Sequence, residues 1–318
     1  MRLYTIGIDV GGTKTAYGLF DQDKNLIKKI KTPSDKTQTS ETFFDGICGT
    51  IHHVLAAEGI SRSQLRGIGV GMPSYVLFDE GKIIKTANLT NIRNFPARSY
   101  MMEQMGNIPV VIDNDANTGA LAEFRHGAGR GFKHMLYCPV STGISTGIMI
   151  NGQLFRGSYG WAGESGHMIA APGLGIECGC ENKGCLMSYC SGSMIIKHVQ
   201  QKIADGGPTL MTQLAGGADQ ITTVHILEAY DQSDAMALWA VDQMALYLGA
   251  WVYNQYVLLN INCFVFGGGL LHFGDRLFKK IRHVFDAYNQ DDMPVYFKTA
   301  ELGEDFGMIG AAELIMEQ

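Results

Sequence analysis

The chain has 318 residues, of which 46% are hydrophobic, and a formal net charge of −6. A chain of this length buries a large core, and chains above about 250–300 residues commonly divide into two domains. Acidic and basic residues are interspersed without a basic run, which argues against a nucleic-acid-binding surface, so we expect no nucleic-acid partner.

The N-terminal segment lacks the basic and apolar regions of a secretory signal, and no window reaches about 18 uninterrupted apolar residues. We therefore predict a cytoplasmic protein without a membrane partner. In a reducing compartment the seven cysteines are not expected to form disulfides.

The N-terminal part of the chain is predicted to begin with short strands joined by polar turns, which is typical of an antiparallel meander. Apolar residues at helical spacing then predict an amphipathic helix, and two short apolar runs predict further strands. The predicted strands cover 4–9, 14–20, 26–31, 67–71 and 110–113, and the predicted helices cover about 40–58 and 114–123.

The rest of the chain repeats this theme. Two predicted strands flank a Gly-containing turn at Ser141-Thr142-Gly143, and Asn151-Gly152 is a strong hairpin signal. The predicted strands cover 135–139, 145–150 and 263–266, and the predicted helices lie near 191–204, 233–259 and 307–316. Two strand–turn–strand units with glycine-rich tips predict two halves with a phosphate loop on each wall of a cleft.

The first candidate motif is Asp9-Val10-Gly11-Gly12-Thr13-Lys14. Glycines after a strand let backbone N–H groups approach an anion closely, and Asp9 is placed to hold Mg²⁺ through water. The motif is not a P-loop, because the lysine is one position late and the following residues are strand-like. A plain β-turn stays an alternative.

Two further glycine-containing turns are weaker candidates. Thr142-Gly143 places a hydroxyl at a hairpin tip, and Gly267-Gly268-Gly269 follows an apolar strand, where a flat ligand is able to lie against the backbone. An ordinary tight turn is the alternative for each segment, and it is the favoured interpretation of Thr142-Gly143 read alone.

The segment Asp113-Asn114-Asp115-Ala116-Asn117 places two acids and two amides at a strand-to-helix junction. Such groups are costly to bury without partners. One interpretation is a carboxylate that accepts a proton from an attacking hydroxyl, which Asn114 orients. The alternative is ordinary helix capping by Asn or Asp.

A cysteine-rich loop carries the most specific local signal. His167 is followed by Cys178, Cys180 and Cys185, and three thiolates with one imidazole are a ligand set that tetrahedral zinc prefers. The protein fills all four positions, so the predicted site is structural. Loop thiols beside an unrelated histidine are the alternative.

These motifs, in this order, resemble the ROK family of sugar kinases and repressors, within the actin and hexokinase superfamily. Asp9–Lys14 resembles the family's D-x-G-G-T-K phosphate motif, and Asn114–Asn117 resembles its N-D-A-N segment. Gly163–His167 followed by Cys178–Cys185 resembles the family signature, while Thr142-Gly143 and Gly267–Gly269 resemble its second phosphate loop and its nucleoside motif. The similarity covers nearly the whole chain.

The resemblance implies an α/β fold of two actin-like (ribonuclease H-like) domains around a central cleft, each with a mixed five-stranded sheet flanked by helices. It implies a small domain over 1–113 with a C-terminal helix at about 305–318, and a large domain over 114–304 that carries the zinc loop and a dimer surface. It also implies a homodimer that uses ATP, Mg²⁺ and structural Zn²⁺.

The resemblance further assigns a role to individual residues. Asp115 is the general base, and the zinc ligands are His167, Cys178, Cys180 and Cys185. The residues expected to face the sugar are Asn114, Asp115, Glu164, His167, Pro73, Ser74 and Asn88. The residues expected to bind ATP and Mg²⁺ are Asp9, Gly11, Gly12, Thr13, Lys14, Thr142, Gly143, Gly267, Gly268 and Gly269.

Two residues depart from the family signature. Met187 replaces a glutamate that accepts hydrogen bonds from sugar hydroxyls, and a thioether is a poor acceptor. Because a site built to bond a hydroxyl discriminates strongly, this change predicts a substrate other than plain glucose. Glu181 replaces a glycine, and we expect its side chain to face solvent, with compensation for the missing carboxylate as the alternative.

The sequence thus predicts an ATP-dependent hexose kinase that phosphorylates a sugar hydroxyl, O6 being the one expected, with Asp115 as base. A catalytically idle sugar-sensing ROK protein is the alternative. A repressor is disfavoured, because only eight residues precede Asp9 and leave no room for a helix-turn-helix domain.

Overall fold

The computed structural model describes residues 3–316 of the chain. Its strands are β1 (Tyr4–Val10), β2 (Lys14–Phe20), β3 (Leu26–Pro33), β4 (Leu65–Met72), β5 (Ser74–Leu77), β6 (Lys82–Thr86), β7 (Arg93–Phe95), β8 (Val110–Asn114), β9 (Met135–Pro139), β10 (Gly147–Ile150), β11 (Gln153–Leu154), β12 (Cys263–Gly267) and β13 (Tyr296–Thr299). Its helices are α1 (Ser40–Ala57), α2 (Ala97–Gln104), α3 (Asp115–His126), α4 (Met187–Cys190), α5 (Gly192–Ala204), α6 (Met211–Ala215), α7 (Thr223–Asp231), α8 (Ala235–Leu259), α9 (Asp275–Tyr288) and α10 (Phe306–Met316).

The strands form two mixed five-stranded sheets and one small three-stranded sheet. The first large sheet has the order β3-β2-β1-β4-β8, the second has the order β11-β10-β9-β12-β13, and the small sheet has the order β5-β6-β7. In the first sheet, β1 to β3 are antiparallel, as the sequence predicts, whereas β1, β4 and β8 run parallel. The predicted α/β class with two mixed five-stranded sheets and helices is confirmed.

The chain divides into two compact units. Unit 1 comprises Met1–Tyr137, Thr146–Gly163 and Ala300–Gln318, and unit 2 comprises Cys138–Ser145 and Glu164–Thr299. Unit 1 therefore includes α3, which follows the predicted boundary near residue 113, and it includes the C-terminal helix α10.

In unit 1 the first sheet packs between two layers. One face carries Ile6, Ile8 and Val10 into a core that α1 shares. On the other face α10 lies close against β1 and β4, because Gly7 and Gly69 leave room for it. A β-carbon on Gly7 would collide with the Met308 carbonyl, and one on Gly69 would collide with the Ala311 carbonyl.

In unit 2 the long helix α8 is largely apolar and packs along α9, whose Leu277, Ile281 and Phe285 are buried at helical spacing. Within residues 3–316, α8 is the one helix long and apolar enough to cross a membrane. Of the most apolar 18-residue stretch of α8, 56% is buried inside the protein. Buried core helices of soluble proteins have the same length and apolar composition, so this feature is weak evidence for a membrane span.

Candidate active site

The acidic and glycine-rich motifs of unit 1 meet at one edge of the first sheet. Asp9 on β1 is paired with Gly71 on β4, and Gly71 is paired with Asp113 on β8. The three strands are parallel and about 4.8 Å apart, so both acids lie level with each other where the strands end. The carboxyl ends of parallel strands are the usual ligand-binding edge of an α/β sheet.

The predicted phosphate turn follows β1 directly. The amide of Gly11 donates to the carbonyl of Lys14 at 2.9 Å, which closes a tight turn. Thr13 and Lys14 are exposed, and Lys14 Nζ lies 3.7 Å from Glu304. Gly12 faces Asn88 so closely that a β-carbon would lie 2.9 Å from the Asn88 Cβ. The turn thus presents partly exposed backbone at Gly11 and Gly12, where no side chain intervenes.

Asp9 lies beside the C-terminal helix. A β-carbon on Gly307 would collide with the carboxylate of Asp9, so only glycine leaves room for the acid there. Burial raises the pKa of Asp9 from 3.8 to about 6, and the negative charge of Asp115 is the second cause of the rise. The positive charge of Lys14 lowers the pKa by a smaller amount. Asp9 therefore lies close enough to Asp115, the predicted base, for their charges to interact.

Asp115 is the first residue of α3. Asn114 caps this helix, because its Oδ1 accepts from the amide of Ala116 at 2.8 Å. Burial raises the pKa of Asp115 to about 6, although hydrogen bonds from the backbone amides of Ala116 and of Asp115 itself oppose the rise. A carboxylate with a pKa near 6 is ionised at neutral pH and is still basic enough to accept a proton.

Asp113 is buried and fixes the segment Asn114–Asn117 through hydrogen bonds. Its side chain is 1% exposed, and its Oδ1 accepts from the Asn114 amide and from Asn117 Nδ2, both at 2.7 Å. Its Oδ2 accepts from Arg156 Nε at 2.7 Å, and the Arg156 guanidinium lies 3.8 Å from the centroid of the Phe78 ring. Arg156 was not predicted from the sequence, although a buried acid such as Asp113 requires a partner.

The segments predicted to line the sugar pocket adjoin the same edge. Asn114 Nδ2 donates to the carbonyl of Ser74 at 3.1 Å, and the carbonyl of Pro73 accepts from the Ala87 amide at 3.0 Å. Asn88 follows Ala87 and contacts Gly12, as described above. In unit 1 the structure therefore brings together Asp9, Gly12, Pro73, Ser74, Asn88, Asn114 and Asp115.

The other two glycine turns meet in unit 2. The amide of Val140 donates to the Gly267 carbonyl at 2.9 Å, and Gly268 has φ +84° and packs so closely on Val140 that a β-carbon would clash. Thr142 is exposed and Gly143 is half-buried, and Ser193 Oγ holds this tip by donating to the Thr142 carbonyl at 2.6 Å. Gly267–Gly269 therefore lie beside the strand end that leads into Thr142-Gly143.

Glu164 and His167 stand at the two ends of one 3₁₀ turn in unit 2. The amide of His167 donates to the Glu164 carbonyl at 3.0 Å. Between them Gly166 packs against the Ile144 carbonyl, where a β-carbon would collide. The turn therefore sits directly against the residue that follows Thr142-Gly143.

The predicted zinc ligands converge in unit 2. The ligand atoms of His167, Cys178, Cys180 and Cys185 all lie within 4.8 Å of one another. His167 Nδ1 is 3.5 Å from Cys178 Sγ, and Cys180 Sγ is 3.5 Å from Cys185 Sγ. Bonds of about 2.3 Å to a tetrahedral zinc ion place sulfurs roughly 3.8 Å apart, so the donor set fits zinc.

The two departures from the family signature occupy different surroundings. Glu181 is exposed, as expected, and has φ +69°, the left-handed region in which glycine is the least strained residue. Met187 is half-buried, and a β-carbon on Gly143 would lie 3.4 Å from its Cε. The thioether methyl therefore lies against the hairpin tip at Thr142-Gly143.

Sequence and structure comparisons place these features in a known family. A sequence profile of the ROK family matches residues 5–318. A glucokinase from Halalkalibacterium halodurans is 34% identical over 98% of this chain and 95% of its own length. The crystal structure of a ROK hexokinase from Thermus thermophilus superposes with a TM-score of 0.83 at 30% identity, covering 98% of this chain and 97% of that chain.

A second solved structure carries ligands. It is a ROK family glucokinase from Streptomyces griseus in complex with glucose and AMPPNP, and it matches with a TM-score of 0.79 at 30% identity over 99% of this chain and 100% of that chain. The fold and the similar proteins together define the enzyme class, a sugar kinase that transfers a phosphoryl group. The chain belongs to the ROK family.

Proposed function

We propose that this protein transfers the γ-phosphoryl group of ATP to the O6 hydroxyl of a hexose, with Asp115 as the general base. The observation that carries the proposal is the position of Asp115 at the start of α3, beside the ends of β1, β4 and β8, with its pKa raised to about 6. The base removes the proton of the attacking hydroxyl as the new phosphate ester bond forms, and ADP leaves.

Asn114 and Ser74 support the sugar side of this proposal. The side chain of Asn114 is held by the Ala116 amide and by the Ser74 carbonyl, so it is fixed next to the base. A fixed amide offers both a donor and an acceptor, which suits a sugar hydroxyl. In the proposal Asn114, with Pro73, Ser74, Asn88, Glu164 and His167, binds the sugar.

The residues also fit ATP and Mg²⁺. Burial, with the negative charge of Asp115 as the second cause, raises the pKa of Asp9, and a divalent cation near Asp9 would stabilise its ionised form. Mg²⁺ would neutralise charge on the phosphates. The turn Gly11–Lys14 and the tip Thr142-Gly143 offer at least partly exposed backbone to phosphates, and within Gly267–Gly269 the exposed Gly268 and Gly269 offer it to the nucleoside.

Zinc has an architectural role in the proposal. The four ligands leave no coordination position for a substrate, and His167 Nδ1 is the ring nitrogen that faces the cysteines. The metal would fix the ring plane of His167 and, through the 3₁₀ turn, the backbone of Glu164. The predicted homodimer and cytoplasmic location stay predictions.

The acceptor sugar is proposed to differ from plain glucose, since Met187 places a thioether where the family has a carboxylate. The test of the whole proposal is a coupled assay of ADP release with MgATP against a panel of hexoses and N-acetylated hexosamines, with the phosphorylated position read by NMR of the product. Sugar-dependent ADP release and a 6-phosphate are expected. Sugar binding without any ADP release would support the idle sensor instead.

A further inference from the structure

Unit 1 carries a surface cluster of three aromatic side chains, which are the half-buried Tyr75 and the exposed Tyr159 and Trp161. The Tyr75 and Trp161 rings are 5.5 Å apart at 81°, and the Tyr159 and Trp161 rings are 5.7 Å apart at 42°. Tyr159 is 66% exposed and Trp161 is 36% exposed. Large aromatic side chains gain much free energy from burial, so a cluster held in water is a candidate binding surface.

The cluster is built rigidly onto the small sheet. Trp161 Nε1 donates to the carbonyl of Val76 on β5 at 3.1 Å. The preceding Gly160 has φ +91°, and a β-carbon there would lie 2.6 Å from the same carbonyl oxygen. The loop is also held at its far end, where the Thr146 amide donates to the Gly163 carbonyl at 2.8 Å. The Trp161 ring, which is fixed in this way, loses little conformational entropy when it binds a ligand.

The position of the cluster connects it to the proposed sugar site. Tyr75 follows Ser74 directly, and the Ser74 carbonyl accepts the hydrogen bond from Asn114 Nδ2. The aromatic cluster therefore begins one residue away from a group that holds Asn114, and Asn114 adjoins the proposed base. An acceptor with a second sugar ring would have to extend from that site along β5 to contact the rings.

The chemistry of the cluster suits a pyranose ring. A pyranose presents C–H groups on its faces and hydroxyls around its edge, so it packs against a flat apolar ring while its edge stays solvated. Tyrosine and tryptophan combine an apolar face with a polar group, which matches this pattern. Lys85 Nζ lies 4.6 Å from the centroid of the Tyr75 ring and adds a hydrogen-bond donor beside the cluster.

We propose that Tyr75, Tyr159 and Trp161 form a subsite for the second sugar ring of a disaccharide or glycoside acceptor. The inference rests on the proposed function, because the first ring is the one phosphorylated at Asp115. The reaction is unchanged: the acceptor hydroxyl gains the phosphoryl group, its proton passes to Asp115, and ADP leaves.

The test compares glucose, cellobiose and maltose as acceptors for the wild-type protein and for Tyr159→Ala, Trp161→Ala and Trp161→Phe. Tyr288→Ala is the control, because Tyr288 is 48% exposed and lies in unit 2. At least one disaccharide is expected to have a lower KM than glucose. Tyr159→Ala is expected to reduce the disaccharide-to-glucose ratio of kcat/KM about 3–10-fold, the range of one aromatic contact.

Trp161→Phe separates stacking from the structural hydrogen bond to Val76, because it keeps a ring and removes the N–H. It is expected to keep more of the disaccharide preference than Trp161→Ala. Should Trp161→Ala not fold, Tyr159→Ala still decides the question. An unchanged ratio in Tyr159→Ala, or an effect on the KM of ATP alone, would overturn the subsite. Failure of the wild-type protein to phosphorylate any sugar would instead overturn the proposed function.

Discussion

Arg156 Nε donates to Asp113 Oδ2 at 2.7 Å. Asp113 Oδ1 in turn accepts hydrogen bonds from Asn114 and Asn117, the residues that flank Asp115 and Ala116. The carboxylate of Asp113 is 1% exposed, so the charge of Arg156 compensates a buried anion. This pair connects a loop after β11 to the start of α3. We regard Arg156 as a residue that positions the proposed base without touching the substrate.

Substitution of Arg156 tests this role. Arg156→Ala is expected to lower kcat about 10–100-fold with a smaller change in the KM of ATP, because displacement of a catalytic group by about 1 Å has such an effect. Arg156→Lys keeps the charge and is expected to recover part of the loss. Steady-state kinetics well below the melting temperature measures both, and the exposed Arg62→Ala is the control. Equal kcat in Arg156→Ala and the wild-type protein would show that the pair is structural only.

The pH dependence of the reaction follows from the raised pKa of Asp115. The base must be ionised, and its pKa is about 6, so kcat is expected to rise as the pH increases through about 6 and to level off above pH 7. Measurements of kcat between pH 5 and 8.5, at saturating sugar and MgATP, report this transition. A profile that is flat from pH 5 upward would mean that a carboxylate with an ordinary pKa, or no carboxylate, takes the proton.

The raised pKa of Asp115 also predicts that its ionised form destabilises the folded protein. The protonated form of Asp115 is favoured in the folded protein, so its contribution to stability is present below about pH 3.8 and is lost as the pH rises through about 6. Asp115→Asn is therefore expected to raise the free energy of unfolding by about 1–2 kcal/mol at pH 7.5, after allowance for partial solvent exposure.

Urea unfolding at pH 4 and pH 7.5, without added Mg²⁺ or nucleotide, measures this difference. The gain is expected to be much smaller at pH 4, because there Asp115 is protonated in the folded protein and is as neutral as asparagine. Glu103→Gln, an exposed change on α2, is expected to show no gain at either pH. A gain of equal size at both pH values would contradict the linkage to ionisation.

The cysteine cluster predicts one zinc ion per chain. Cys178→Ser and Cys185→Ser remove buried ligands and are expected to abolish zinc in elemental analysis of the purified protein and to lower the melting temperature. Cys48→Ala removes a buried thiol of unit 1 and is expected to keep a full zinc content. Wild-type protein that contains no zinc, and whose four ligands are all freely modified, would contradict the site.

The strands and helices that were predicted from the sequence are those bounded by glycine-containing turns or carrying a regular spacing of apolar residues. Strands β1 and β2 were predicted within one residue of their observed ends, because Gly11 and Gly12 separate two apolar runs. The small sheet β5-β6-β7 was not predicted, because its strands are short and β6 carries polar residues, of which Lys85 is exposed and Lys82 is half-buried. Helix α9 was also missed, although Leu277, Ile281 and Phe285 gave it a helical period.

For the site, too, the residues within short motifs were predictable from the sequence, and the contacts between distant residues were not. Asp115 and the zinc ligands were predictable, because each lies in a compact motif with a specific composition. Arg156 was not, because its partner Asp113 is 43 residues away and an arginine in a glycine- and serine-containing loop has no distinctive spacing. The raised pKa of Asp115 depends on burial, and that of Asp9 depends on burial and on the approach of Asp115, which only the folded chain defines.

The most direct test of the central claim is the rate of sugar phosphorylation by Asp115→Asn with saturating MgATP and the preferred sugar of the wild-type protein. The substitution keeps the size of the side chain and an oxygen that is able to accept from the Ala116 amide. We expect sugar binding to persist, and kcat to fall at least about 100-fold, as for the loss of a general base. Phosphorylation at the wild-type rate would show that Asp115 is not the base.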